Sequence, residues 1–158
     1  MSEIGVRARF PFLLLFLMAG CAAQVAPATI EPSDPSSARA AARELLGHLA
    51  QGRIEAAAAL SNAPGRRLEV LREYRAAIGD KAFRRVFAEY LDPANRIVAE
   101  LAVGRHRLLV WELAGAGGRI AGQYYVEADG RFLMDDRPSE ARSQLQRALE
   151  DYRKRARQ

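Results

Sequence analysis

The stretch RIVAELAVGRHRLLVWEL (Arg96–Leu113) decides the fold. Apolar and polar residues alternate on both sides of Gly104-Arg105, and this period of two is typical of β-strands. A glycine that opens a two-residue loop favours a type II′ turn, so the stretch predicts a hairpin of Arg96–Val103 and His106–Leu113. One predicted face carries Ile97, Ala99, Leu101, Val103, Leu108 and Val110. The other carries Val98, Glu100, Ala102, Arg107, Leu109, Trp111 and Leu113.

Downstream of this hairpin the sequence predicts a second one and a helix. A glycine-rich connection at 115–118 leads to a strand over Arg119–Ala128, and Asp129-Gly130 is a strong signal for a type I′ turn into Arg131–Asp135. Pro138-Ser139 then starts a last helix. Its apolar stripe consists of Ala141, Leu145, Ala148, Leu149, Tyr152 and Ala156.

Upstream of the hairpin the apolar residues recur at helical spacing. Asp34-Pro35 is a natural N-cap followed by proline at the first helical position, and Gly52 ends that helix. A second helix is expected over Ile54–Ser61, and Asn62–Gly65 breaks it. Two more helices are expected, one with an apolar face from Leu68 to Ile78 and one capped by Asp80. Helices, a four-stranded antiparallel meander and a closing helix together predict an α+β domain.

The start of the chain predicts where the protein is located in the cell. Arg7 and Arg9 precede FPFLLLFLMAGC (Phe10–Cys21), whose apolar run is far shorter than the roughly 20 residues that span a membrane. A basic start, a short apolar core and small residues at the end are typical of a cleaved signal peptide. Met18–Cys21 resembles the lipobox of bacterial lipoprotein precursors. The resemblance implies cleavage before Cys21 and acylation of that cysteine, for example with palmitate. An ordinary signal or a short buried helix is the alternative.

The same resemblance divides the chain. Residues 1–20 are the expected signal peptide, residues 21–37 a lipidated cysteine and a proline-containing tether, and residues 38–158 a single domain. The tether reaches at most roughly 50 Å from the anchor. Ala22 follows the cysteine, where aspartate is the common inner-membrane retention signal of enterobacterial lipoproteins. This implies an outer-membrane location facing the periplasm.

The charge and the cysteine content agree with that location. Cys21 is the only cysteine, so no disulfide forms within the chain. The net charge is +5, and nearly all the bases are arginine. A basic protein favours an acidic partner such as lipid headgroups. Arginines spread over solvated faces are the preferred explanation of the charge, and we expect no nucleic-acid partner.

The domain resembles the superfamily of nuclear transport factor 2 (NTF2) and the cystatins. The residues that carry the resemblance are LLGHLAQGRIEAAAALS (Leu45–Ser61) and the hairpin strands Ile97–Leu113. The resemblance implies a curved sheet wrapped around helices, with a cone-shaped pocket for a small apolar ligand. Four helices before the sheet, where two or three are usual, and a short last strand depart from the family pattern.

No motif predicts a reaction. The two histidines, His48 and His106, have no closely spaced ligand partners, and the sequence has no HExxH or paired cysteines, so we expect no metal. The glycines at 115–118 lack the spacing of a phosphate cradle, no serine lies in a nucleophile elbow, and we expect no cofactor.

The residues best suited to line a pocket are on the strands: Trp111, Glu112, Tyr124 and His106. Packing within the core or across the strands is the preferred explanation of the two tyrosines at 124 and 125. Three classes of function therefore stay open. They are a non-catalytic binding or assembly module of the envelope, a carrier for a small apolar ligand, and an enzyme that uses a pocket carboxylate or histidine.

Overall fold

The structure, a computed structural model, describes residues 37–157. The expected signal peptide, Cys21 and all of the tether except Ser37 lie outside the described residues. The helices are α1 (Ala38–Ala50), α2 (Ile54–Ala59), α3 (Pro64–Ile78), α4 (Asp80–Tyr90) and α5 (Glu140–Arg155). The strands are β1 (Arg96–Val103), β2 (His106–Leu113), β3 (Arg119–Ala128) and β4 (Arg131–Met134), with one turn of 3₁₀ helix at Ala114–Ala116.

The four strands form one antiparallel sheet in the order β1-β2-β3-β4, so the predicted α+β layout is confirmed. The turn backbones also agree with the sequence. Gly104 has a positive φ of 56° between β1 and β2, as a type II′ turn requires. Both Asp129 and Gly130 have positive φ between β3 and β4, as a type I′ turn requires.

Helices cover both faces of the sheet. The front face packs Leu109, Trp111, Leu113 and Tyr125 against α1, with side chains of α4 at the edge. The back face packs Leu108 and Val110 against Leu145 and Leu149 of α5. A third cluster joins α1 to α4 around Phe83, which is fully buried.

A β-bulge in β1 overturns part of the predicted face assignment. Ile97 pairs with Trp111, but the next pair along the strand is Ala99 with Val110, so β1 has one residue more than β2 between these pairs. An extra residue reverses the alternation of side chains. Ile97 therefore packs on the front face beside Trp111, and Val98 joins the back-face cluster. Their predicted placement was wrong, while Ala99, Leu101 and Val103 lie as predicted.

Three helix starts also differ from the prediction. Gly79 is the N-cap of α4 and Asp80 is its first residue, so the predicted cap at Asp80 was wrong. Ser37 is the N-cap of α1, since its backbone is extended and its hydroxyl accepts a hydrogen bond from the amide of Ala40. The predicted start at Pro35 was therefore wrong. Pro64 is the first residue of α3 and not part of a break, because proline at this position loses no helical hydrogen bond.

Candidate functional site

A buried carboxylate lies at the end of the sheet, directly after β4. Asp135 is 1% exposed. One of its oxygens, Oδ2, lies 2.8 Å from Nδ1 of His106 at the start of β2, and Oδ1 accepts a 2.7 Å hydrogen bond from the side-chain amide of Asn62. Burying a carboxylate is costly unless it is hydrogen-bonded on every side, and these two partners meet that need.

The next residue, Asp136, forms a second group of contacts with the helical part of the chain. Arg67 of α3 donates to both of its carboxylate oxygens, from Nε at 2.7 Å and from Nη2. Ser61 donates its hydroxyl to the same carboxylate at 2.6 Å. A bidentate contact from an arginine holds the carboxylate in one orientation. We call the cluster of Ser61, Asn62, Arg67, His106, Asp135, Asp136 and Arg142 the aspartate junction.

Backbone pairing brings the loop between α2 and α3 to this place. The amide of Met134 donates to the carbonyl of Leu60 at 2.7 Å, and the amide of Asn62 donates to the carbonyl of Met134 at 3.0 Å. These two bonds make a parallel bridge between Ser61 and Met134. Asn62 is thereby fixed beside both aspartates, and its side-chain oxygen accepts from the amide of Asp136 at 2.8 Å.

Arg142 ties α5 to the same cluster. Its Nη1 donates to the carbonyl of Asp135, and its guanidinium lies over the ring of Tyr124, 4.0 Å from the ring centre. Its Nε is buried without a hydrogen-bond partner in the described part of the chain. Burial raises the pKa of Tyr124 above its ordinary value, and the nearby Arg142 and Arg153 oppose that rise.

The chemistry open to this cluster is limited. With Asp135 ionised, the carboxylate only accepts, so the proton of a neutral His106 lies on Nδ1. An aspartate that orients a histidine in this way supplies two members of an acid–base triad, which also needs a nucleophile. No hydroxyl or thiol among residues 37–157 forms a hydrogen bond with His106, and the hydroxyl of Ser61 donates to Asp136. No group of three or more histidine, cysteine or acidic residues able to hold a metal occurs in residues 37–157.

The four predicted pocket residues do not share a face. Trp111 lies on the front face, 6% exposed, and its Nε1 donates to Oε1 of Gln123 at 3.1 Å. His106, Tyr124 and Glu112 lie on back-face positions of β2 and β3. Glu112 is paired with Arg96 across the hairpin. His106 belongs to the aspartate junction and Tyr124 borders it beside Arg142, while Trp111 and Glu112 do neither.

Most of the aspartate junction was missed from the sequence. Asn62 was expected only to break a helix and Asp135 only to end a strand. The pair Asp135-Asp136 directly after an apolar strand was the one available signal, because two adjacent carboxylates need partners if either is buried. Those partners lie 69 and 75 residues away at Arg67 and Ser61, a distance that no local pattern bridges.

Two of the concavities on the surface of residues 37–157 are not lined by the aspartate junction. One of about 410 Å³ lies at the corner between α3 and α4, beside Ile78, Lys81 and Arg85. The other, of about 270 Å³, lies between the start of β3 and the end of α5. An apolar stripe also runs along α3. Val70, Tyr74 and Ile78 are 49%, 39% and 37% exposed.

No helix among residues 37–157 has both the length and the apolar character to cross a membrane. Comparisons of the chain with protein-family models, with curated proteins and with solved structures found no match.

Proposed function

We propose that the chain is a bacterial cell-envelope lipoprotein. The signal peptide is removed before Cys21, that cysteine is acylated, and the lipid holds the domain at the outer membrane, facing the periplasm. The domain then acts as a non-catalytic binding or assembly module. Support for the anchor is the lipobox-like Met18–Cys21 after a short apolar run.

The observation that carries the binding-module proposal is the packing of the sheet. In an NTF2-like carrier one face of the sheet would line a pocket. Here the front face is filled by α1, with Leu46, Tyr125 and Leu109 no more than 1% exposed. The back face is filled in the same way by α5, with Leu108 and Val110 fully buried. This packing favours a module that binds through its outer surface over a carrier with a ligand between sheet and helices.

The outer surface offers one apolar face for a partner protein. Val70, Tyr74 and Ile78 recur every four residues along α3, so they form a ridge about 12 Å long. Single exposed apolar side chains are ordinary, but a ridge on consecutive turns is the feature that packs into the groove of another helix. Tyrosine is also enriched among residues that dominate interface energy. We infer that the partner is an envelope protein that presents a helix to this ridge.

The test is photo-crosslinking in cells with the full chain. A photoreactive amino acid at Tyr74 should give one discrete adduct, and Val70→Asp with Ile78→Asp should abolish it. The matched control places the same photoreactive residue at Arg43, which is exposed on α1. An equal adduct from Arg43, or an adduct that survives the two aspartates, would show that α3 is not the docking face.

A further inference from the structure

We propose that the second concavity binds the phosphate group of an anionic phospholipid headgroup. It lies between the start of β3 and the end of α5 and is lined by three arginines, Arg119, Arg153 and Arg157. We call it the arginine concavity. The proposal rests on the proposed membrane anchoring, since the anchor would keep the domain next to such headgroups.

The arginines come from two separate elements. Arg119 opens β3, while Arg153 lies in the last turn of α5 and Arg157 follows one turn later. The Nε of Arg153 donates to the carbonyl of Ile120 at 3.2 Å, which holds that guanidinium at the wall and leaves its terminal nitrogens for a ligand. No carboxylate lines the arginine concavity. None of the three arginines takes part in a salt bridge among residues 37–157.

Two acidic residues near the concavity already have partners. Glu112 approaches Gly118 at the edge of the concavity, but it is paired with Arg96. Asp151 on α5 is paired with Lys154. Glu150, three residues before Arg153 on α5, is exposed and makes no salt bridge among residues 37–157. The three arginines are therefore not paired with a carboxylate within these residues, and their charge is available to an external anion.

The dipole of α5 explains only part of this arrangement of arginines. Basic residues at the end of a helix are favoured because the end carries partial negative charge. That accounts for Arg153 and Arg157 on α5, but it does not require a third arginine from β3 at the same place. Like charges at close range repel, and a bound phosphate removes that repulsion. The planar fork of arginine also fits the oxygens of a phosphate.

The loop beside the arginines leaves room for a headgroup. Gly117 and Gly118 have positive φ of 67° and 76°, a conformation that residues with side chains rarely adopt. A Cβ added at Gly117 would meet no atom within 4 Å, so this rim borders open space. The amides of both glycines donate within the loop, to Ala114 and Leu113. The arginines, and not the loop amides, are therefore the donors for the phosphate.

We prefer a lipid as the source of the phosphate because the proposed anchor would keep the domain close to the bilayer. A tether of roughly 50 Å on an acylated Cys21 would restrict the domain to a thin layer above the bilayer. Within such a layer the anionic headgroups are far more concentrated than soluble phosphates, and they attract basic side chains at the surface.

The experiment uses the full chain in phosphatidylcholine nanodiscs with an increasing share of phosphatidylglycerol. The NMR signals of the arginine Nε–H groups report contact with phosphate. We expect the signal of Arg153 to shift as phosphatidylglycerol is added. The double variant Arg119→Gln with Arg157→Gln should weaken the apparent affinity about 25-fold, roughly fivefold for each arginine. The control, Arg43→Gln with Arg131→Gln, removes the same charge from exposed sites elsewhere. It should change the apparent affinity less than about twofold.

Three outcomes would overturn the proposal. Equal weakening in the two double variants would mean that only net charge matters. No shift of the Arg153 signal with phosphatidylglycerol would mean that the headgroup does not bind there. An equal shift with inorganic phosphate in pure phosphatidylcholine would assign the concavity to a soluble phosphate. If the double variant unfolds, Arg157→Gln alone should weaken the affinity about fivefold. If cells do not acylate Cys21 and the Arg153 signal of that chain still shifts with phosphatidylglycerol, the proposed lipid anchor is refuted. The phosphate site is then retained.

Discussion

The residue that joins the most parts of this domain is Asp135. Its side chain and its carbonyl receive contacts from β2, from the loop between α2 and α3, and from α5. Because it is 1% exposed, each lost partner leaves a carboxylate oxygen without water to replace it. The aspartate junction therefore holds three elements together, whether or not it also binds a ligand.

Removing His106 tests this role. We expect His106→Ala to lower the free energy of unfolding by about 1.5–3 kcal/mol, the range for hydrogen bonds to charged groups. Urea denaturation followed by circular dichroism measures it. The neighbouring Arg105→Ala is the control and should change stability by less than about 0.5 kcal/mol, because its side chain is exposed. Equal effects of the two substitutions would mean that the contact with Asp135 contributes nothing.

Tyr125 makes the stability depend on pH in the alkaline range. It is 1% exposed, and its hydroxyl donates to Oε1 of Gln123 at 3.2 Å, the atom that also accepts from Trp111. Burial raises the pKa of Tyr125 far above its ordinary value. In the unfolded chain the same tyrosine loses its proton near pH 10, so the unfolded state is favoured as the pH rises beyond that value.

We therefore expect stability to be level up to about pH 9 and to fall above pH 10. Tyr125 should contribute a slope of about 1.4 kcal/mol per pH unit, and Tyr124, whose pKa is also raised, adds to the fall. Tyr125→Phe should make the fall clearly shallower. Urea titrations at a series of alkaline pH values measure this slope. An unchanged slope in the variant would contradict the account.

At the scale of elements, local patterns predicted the strands well. The bounds of β1, β2 and β3 agree with the sequence, because two-residue turns fix the end of β1, the start of β2 and the end of β3, and the glycine-rich stretch at 115–118 separates β2 from β3. The bulge in β1 was not predictable, since Ile97 and Val98 are both apolar and suit either face. Ser37 and Asp34 are both good N-caps, and only the packing of α1 on the sheet distinguishes them.

The docking of α5 on the sheet depends on Gly122 in β3. A Cβ built there would lie 2.4 Å from Cδ2 of Leu149 and 3.0 Å from Cδ1 of Leu108. We expect Gly122→Ala to lower the free energy of unfolding by about 1–3 kcal/mol, because both leucines must move in a filled core. Thermal denaturation of the full chain measures the change.

The matched control is Gly47→Ala on α1. A Cβ at Gly47 would meet nothing within 4 Å, so this alanine should stabilise the domain by about 0.5–1 kcal/mol through helix propensity alone. The two substitutions thus have opposite expected signs. Destabilisation by both, or by neither, would mean that close packing of α5 is not what requires glycine in β3.

At the scale of the whole molecule, the sequence predicted the helices and the sheet but not the aspartate junction or the arginine concavity. Both the aspartate junction and the arginine concavity join residues that are far apart in the chain, such as Arg119 and Arg153. Apolar periodicity describes one element at a time, so it predicts which faces are buried but not which polar side chains meet. Tyr74 and Ile78 were expected on the apolar face of α3, and they are partly exposed, although the ring of Tyr74 contacts Phe83 and Phe87 of α4.

The proposal that Cys21 holds this domain at a membrane is tested most directly by one measurement. The full chain and its Cys21→Ala variant are expressed in a bacterial host, and the mature proteins are analysed by intact mass spectrometry. We expect a wild-type chain that begins at Cys21 and carries the mass of acyl chains, and a variant that keeps residues 1–20. A wild-type chain without lipid, or one cleaved at another residue, would contradict it.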